Sequence, residues 1–243
     1  MRPSLPLLFA LSAAPLIAAG AQIVLNPAAS ARHIGPWSFD IGAQMAQPIG
    51  DFATQVDRAW GVGGTLRYRL PQARALGVRA DVSWLNYGNE RKTVPLSTTI
   101  NRVLVDMNTA NDIAVFSAGP ELAVSRGPLR PYAFGFAGYS YFYTATTVGD
   151  DDADGSAFAQ STNYHDGGLS TGWGGGIRVP IVLRSAELAV DAGGRMTRNG
   201  VRSYLRRGDI VDQTNGSYVV NPRTTIADFW QYHVAISIAP KFR

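Results

Sequence analysis

Three short patterns in this 243-residue chain bring together residue types that do chemistry. Asp150, Asp152, Asp154 and Gly155 spell D-x-D-x-D-G, in which alternate carboxylates converge on one hard cation and the glycine permits a sharp bend. The loop position that takes a bidentate glutamate is Ser161 here, so the pattern reads as a solvated acidic loop and assigns no metal ligand. Arg207-Gly208-Asp209 is an Arg-Gly-Asp tripeptide of the sort some adhesins display, set among residue types that produce it by chance. The histidines raise the question of a nucleophile set. His33 lies near the N-terminus, His165 has Ser161 and Asp166 nearby, and His233 is followed on the same strand face by Ser237. In an extended chain that last pair is about 13 Å apart, too far for a hydrogen bond. Gly172, Gly174, Gly175 and Gly176 surround Trp173 in a strand pattern, where small side chains relieve crowding and cradle no phosphate. The reading therefore assigns no catalytic, no cofactor-binding and no metal residue, and no cofactor.

What elements would position these residues is set by composition. Hydrophobic residues make 46% of the chain and charged residues 16%, against a usual charged share of about 25%; there is no cysteine. Disorder, a disulfide scaffold and a thiolate metal site are excluded. Glycine (26), proline (14), Phe (10), Tyr (10) and Trp (5) favour turn-rich β structure over helix bundles. The formal charge of +4 is scattered, with no basic stripe to track a nucleic-acid backbone, and nucleic acid is not expected as a partner. At the N-terminus Arg2, an apolar stretch from Leu5 to Ile17 and Ala19-Gly20-Ala21 read as a signal peptide over 1–21, cleaved before Gln22. A tail over 22–35 follows.

From there on, apolar and polar residues alternate with period two in eight segments. Trp37, Phe39, Ile41, Ala43 and Met45 oppose Ser38, Asp40, Gly42 and Gln44. Trp60, Val62, Leu66, Tyr68 and Leu70 oppose Thr65, Arg67 and Arg69, and Leu76, Val78, Ala80, Val82 and Trp84 oppose Arg79, Asp81 and Ser83. A fourth segment, 113–125, has Glu121 on its polar side. A fifth, 130–147, carries Tyr132, Phe134, Phe136 and Phe142 on the side read as apolar. The sixth and seventh, 168–180 and 186–197, put Arg178, Glu187, Asp191 and Arg195 on the polar side. In the last, Trp230, Tyr232, Val234, Ile236, Ile238 and Phe242 face away from Gln231, His233, Ser237 and Lys241.

Connections alternate in length. Short turns fall at Pro71-Gln72, Gly127-Pro128 and Leu183-Arg184, and longer polar stretches at 49–58, 88–111, 148–167 and 198–226. Short turns at one end and long loops at the other, on strands of this length, predict an all-β, closed, antiparallel transmembrane β-barrel of eight strands with up-and-down topology over 36–243. A soluble barrel turns its apolar set inward, whereas here the charged set must be inside. Arg67, Arg69, Arg79, Arg178, Arg195 and Lys241 meet Asp40, Asp81, Glu121, Glu187 and Asp191 there, and pair. Trp37, Trp60, Tyr68, Trp84, Tyr132, Trp230, Tyr232 and Phe242 are assigned to the membrane interfaces.

Pro48-Ile49-Gly50-Asp51-Phe52, Trp60-Gly61-Val62-Gly63-Gly64 and Tyr68-Arg69-Leu70 resemble the first hairpin of the small bacterial outer-membrane β-barrel family of the OmpA/OmpX type. The final strand with Phe242 resembles the C-terminal signal read by barrel-assembly machinery, departing from it at Pro240 and Arg243. The resemblance implies a cell outer-membrane location, with outer-membrane lipid, lipopolysaccharide and the assembly machinery as partners. The chain is expected to be a monomer with a structural or surface-interaction role carried by its extracellular loops, where an extracellular ligand is a candidate partner, over a lumen closed by the inner-face ion pairs. The competing readings are a narrow porin-like channel and a lipid-modifying enzyme.

Overall fold

The computed structural model describes residues 35–73, 75–95, 104–150, 157–182, 186–213 and 218–240. The expected signal peptide, nearly all of the tail, the Leu183-Arg184 turn, Lys241, Phe242 and Arg243 lie outside them.

Eight strands close into one antiparallel barrel: β1 (Trp37–Pro48), β2 (Ala59–Arg69), β3 (Leu76–Pro95), β4 (Leu104–Ala123), β5 (Arg130–Asp150), β6 (Ala157–Val182), β7 (Ala186–Arg198) and β12 (Phe229–Pro240). Each pairs with its neighbour along the chain, and β12 closes the ring on β1 through Phe39↔Ile238 to Pro48↔Phe229. Four short strands, β8 (Val201–Tyr204), β9 (Ile210–Asp212), β10 (Tyr218–Val220) and β11 (Arg223–Ile226), make two small sheets, β8·β11 and β9·β10, between β7 and β12.

Alternation gives the wall two unlike faces. Ile41, Val62, Val78, Phe116, Ile177, Val234 and Ile236 stand exposed on the outside, while Asp40, Arg67, Arg79, Asp81, Glu121, Arg178, Asp191 and Arg195 are buried inside. An exterior without charge around a charged interior is stable only against hydrocarbon, and closure leaves no strand edge unpaired in it. Trp37 and Tyr68 pack together at one rim, with ring centroids 4.7 Å apart. At the other, Trp173 meets Trp230 at 5.3 Å and Trp84 Nε1–H donates to Tyr143 Oη at 3.1 Å. At about 3.3 Å per residue and a tilt of about 40°, the Trp60-to-Tyr68 stretch of β2 rises roughly 20 Å, close to the ~25 Å apolar band of such barrels. The chain is a multi-pass transmembrane β-barrel of the outer-membrane type.

Two expectations are corrected. Tyr132, Phe134, Phe136 and Phe142 face the lumen, each at most 6% exposed, and the outer face of β5 is Pro131, Ala133, Ala137 and Tyr139. Tyr132 accordingly belongs to no interface girdle. The physical reason is room and charge: β6 opposes these rings with Gly172, Gly174 and Gly176, and a Cβ on Gly174 would come within 2.6 Å of Phe134 Cζ. Second, much of the stretches expected as long loops is strand. β3 and β4 have 20 residues, β5 has 21 and β6 has 26, whereas β1, β2, β7 and β12 have 11 to 13. About 9–11 residues cross a bilayer, so β3 to β6 raise a wall on one side well above the girdle. Above the girdle neither face of that wall meets lipid, so no apolar stripe marks it in the sequence.

Candidate functional site

The inner face of β3, followed away from the rim that holds both ends of the barrel, passes Arg79, Asp81, Ser83, Leu85 and Tyr87 and, beyond a bulge between Asn86 and Gly88, Glu90 and Lys92. These residues mark successive layers across the lumen.

The lowest layer is an ion-pair network. Arg67 pairs with Asp40 and reaches Asp191 at 2.8 Å and Glu121 at 3.3 Å. Arg178 bridges Glu121 at 2.7 Å and Asp191 at 2.9 Å, and Arg79 bridges Asp81 at 2.5 Å and Glu121 at 3.2 Å. Arg130 holds Glu187 with two hydrogen bonds at 2.6 and 3.1 Å. Asp191, fully buried, also accepts from Tyr132 Oη at 2.7 Å and lies 3.1 Å from His233 Nε2. Buried charge of this density is tolerable because each carboxylate meets guanidinium forks that satisfy several lone pairs at once. The rings of β5 support the same cations: Arg178 Cζ lies 3.9 Å from the Tyr132 centroid, Arg79 Cζ 3.7 Å from Phe134, and Arg195 Cζ 5.3 Å from Phe136. Ring faces attract such cations most when water is excluded.

Above it Arg195 donates to Gln231 at 2.8 Å, Ser83 at 3.0 Å and Ser117 at 3.3 Å, and Gln231 bonds Gln44. The third layer is apolar. Within 49–58 Phe52 and Val56 turn into the lumen while Asp51, Ala53, Thr54, Asp57 and Arg58 stay exposed, and a single-turn 3-10 helix (Phe52–Thr54) drives Phe52 between Tyr204, 5.0 Å away, Phe142, 6.1 Å, and Tyr87, 6.4 Å. Leu85, Ile113, Val115 and Phe229 complete the buried cluster, with the half-buried Tyr87 packed against it. The segment between β7 and β12 crosses the mouth to reach this layer. Asp166 accepts the Ser203 N–H at 2.6 Å, and Tyr87 Oη donates to Leu205 O at 2.9 Å. Burial pushes the Tyr204 phenol above its ordinary range, so it stays neutral.

Over this floor, between the tall wall and the mouth segment, opens a cup of about 280 Å³ lined by residues of β3 to β6 together with Arg206, Ile210 and Tyr218.

The residues weighed for chemistry are dispersed. His233 faces the lumen and meets Asp191 and Tyr132, and Ser237 pairs in register with Asp40 instead. His165 lies tilted against Tyr141 with ring centroids 5.7 Å apart, while the neighbouring Asp166 is bound to Ser203. His33 and the acidic stretch 151–156 lie outside the described residues. The Arg-Gly-Asp tripeptide is a turn that holds the mouth segment down: Gly208 has φ +84°, its N–H donates to Glu90 at 3.1 Å, Arg207 donates to Asn89 O at 2.7 Å, and Asp209 is 4% exposed and ion-paired with Arg223 at 3.2 Å. Its carboxylate is not presented to a partner. Sequence reasoning missed Arg130, the ring ladder and Phe52. Arg130 shares parity with Tyr132, and a strand face that holds an arginine is the inner one; that was the available signal.

No protein-family model matches the chain, and no curated protein matches it in sequence. Among solved structures the chain is similar to Ail, the attachment invasion locus protein of Yersinia pestis, at 12% identity over 85% of this chain and 99% of that one, with a TM-score of 0.44. A major outer membrane protein from Thermus thermophilus is similar at 13% identity, 85% and 99% coverage and a TM-score of 0.45. Neisserial surface protein A is similar at 14% identity, 86% and 99% coverage and a TM-score of 0.36.

Proposed function

We propose that this chain is a non-conducting, non-enzymatic outer-membrane barrel whose role, structural or of surface interaction, is carried by the part of the molecule above the girdle. Its partners on this reading are outer-membrane lipid and lipopolysaccharide around the belt, the assembly machinery during insertion, and an extracellular ligand above; it works as a monomer. The observation that carries the reading is the filling of the lumen by two layers of different chemistry, the ion-pair network around Asp191 and the apolar cluster around Phe52. An eight-stranded interior is just wide enough for side chains to fill, so either layer obstructs a hydrated ion. Single-channel recording of refolded protein in molar salt tests it. The expected result is silence, and steady openings of porin size would replace this reading with that of a channel.

A further inference from the structure

Closure of the lumen does not explain the cup above it. β3 to β6 rise well past the girdle, and the inward side chains of that extra wall do not fill the space they enclose. Among them are hydroxyls and amides that bond one another. Thr144 Oγ1 donates to Asn111 Oδ1 at 2.6 Å, Thr109 and Thr146 share a bond of 2.8 Å, and Asn163 Nδ2 donates to Thr146 Oγ1 at 2.5 Å. A hydroxyl has one donor and two acceptor positions and an amide has two donors, so these mutual bonds leave capacity on Thr109 and Asn163, the half-buried members of the set, for a ligand in the cup. Met107, Val148 and Ile210 add apolar lining, and Tyr218, 58% exposed, supplies an aromatic face at the edge. The charged lining is partnered within the protein: Glu90 and Lys92 pair at 3.3 Å, and Arg206 lies 3.6 Å from Asp209, which it shares with Arg223.

A ligand suited to this lining is neutral, offers several donors and acceptors around its edge, and has an apolar C–H face to lay on a ring. Polyhydroxylated rings have that chemistry; a phosphate or sulfate ester does not. The volume of about 280 Å³ stands at the lower end of small-molecule pockets, which begin near 300 Å³. We infer that the cup binds a neutral mono- or disaccharide at the cell surface, an inference that rests on the closed-barrel reading because a ligand above a sealed floor is held and not passed.

The test uses the refolded chain in detergent micelles and saturation-transfer NMR with the methyl glycosides of glucose, galactose, mannose and N-acetylglucosamine, a sulfated disaccharide serving as the anionic comparison. Transfer to at least one neutral glycoside is expected at millimolar concentration. Affinity falls about tenfold in the Thr146→Val/Asn163→Leu double variant, the loss of two neutral hydrogen bonds. Met107→Trp, which fills the cup from another strand, abolishes transfer by a route that spares the polar chain. Retention of the gel shift between unheated and heated samples establishes that each variant has folded. Silence toward every neutral glycoside, transfer undiminished in both variants, or transfer only to the sulfated sugar overturns the inference. Silence toward sugars in a current-free barrel leaves the closed-barrel reading standing, whereas steady current removes that reading itself.

Discussion

Asp191 gathers Arg67 at 2.8 Å, Arg178 at 2.9 Å, Tyr132 at 2.7 Å and His233 at 3.1 Å around one buried carboxylate. Neutralising it leaves buried guanidinium groups facing one another with less counter-charge, and removing one member of a buried ionic cluster costs about 3–5 kcal/mol. Asp191→Asn, which keeps shape and volume, should therefore destabilise the barrel by that amount in a urea unfolding titration read by the heat-dependent gel shift. A loss below about 1 kcal/mol would place the network among ornaments of the lumen and not among its supports. At this scale the sequence was informative about charge and silent about stacking. Arg67, Arg79, Arg178, Arg195, Asp40, Asp81, Glu121, Glu187 and Asp191 are where alternation places them. That a phenylalanine would serve a cation from within a membrane protein follows from ring electrostatics, which binary patterning by hydrophobicity does not carry.

The same limit acts at the scale of the strand. Size and apolarity assign Tyr132, Phe134 and Phe136 to lipid, yet a strand face is a single parity and Arg130 shares theirs. The other parity of β5 is Pro131, Ala133, Gly135 and Ala137, small residues that meet lipid without difficulty. Arginine scanning separates the two assignments. Ala137→Arg should cost about 2–4 kcal/mol if that residue faces lipid near the midplane, and little if it faces the lumen. On β12 the same titration should find that cost at Val234 and Ile236, 59% and 48% exposed, and less at Ser237, 5% exposed beside Asp40. A cost at Ser237 with tolerance at Ile236 would mean a register slipped by one residue, which exchanges every inner side chain for an outer one, and equal tolerance at both would overturn the assigned register. The eight membrane-crossing strands, and the short turns at Pro71-Gln72 and Gly127-Pro128, were legible because a bilayer forces period-two contrast. The height of β3 to β6 was not, because Gly88 to Val94 has water on both faces and needs no contrast to be strand.

For the whole molecule, the proposed closure of the lumen is redundant, and the redundancy makes a further prediction. The apolar layer depends on two segments that reach it from outside the wall, Phe52 from the β1–β2 connection and Tyr204 from β8, with centroids 5.0 Å apart. Truncating both in Phe52→Ala/Tyr204→Ala empties the centre of a cluster that also holds Phe142, Leu85 and Ile113. Each truncation of a buried aromatic costs about 3–5 kcal/mol, less where neighbours collapse into the space. The barrel should survive this loss at room temperature, since its hydrogen-bonded wall closes without either residue, and the gel shift should persist with an earlier onset of heat unfolding. It should also remain electrically silent. Beneath the emptied layer Arg195 still spans the lumen from Gln231 to Ser117, and the pairs of Arg67, Arg79 and Arg178 still occupy the section below. An ion entering from the cup would meet desolvated fixed charges of both signs, already matched to one another, and would have to break pairs to pass. Planar-bilayer recording of the double variant in molar salt decides between serial and single closure. Continued silence means that the polar layers seal the barrel unaided, and steady current would assign the seal to Phe52 and Tyr204 and recast the mouth segment as a gate.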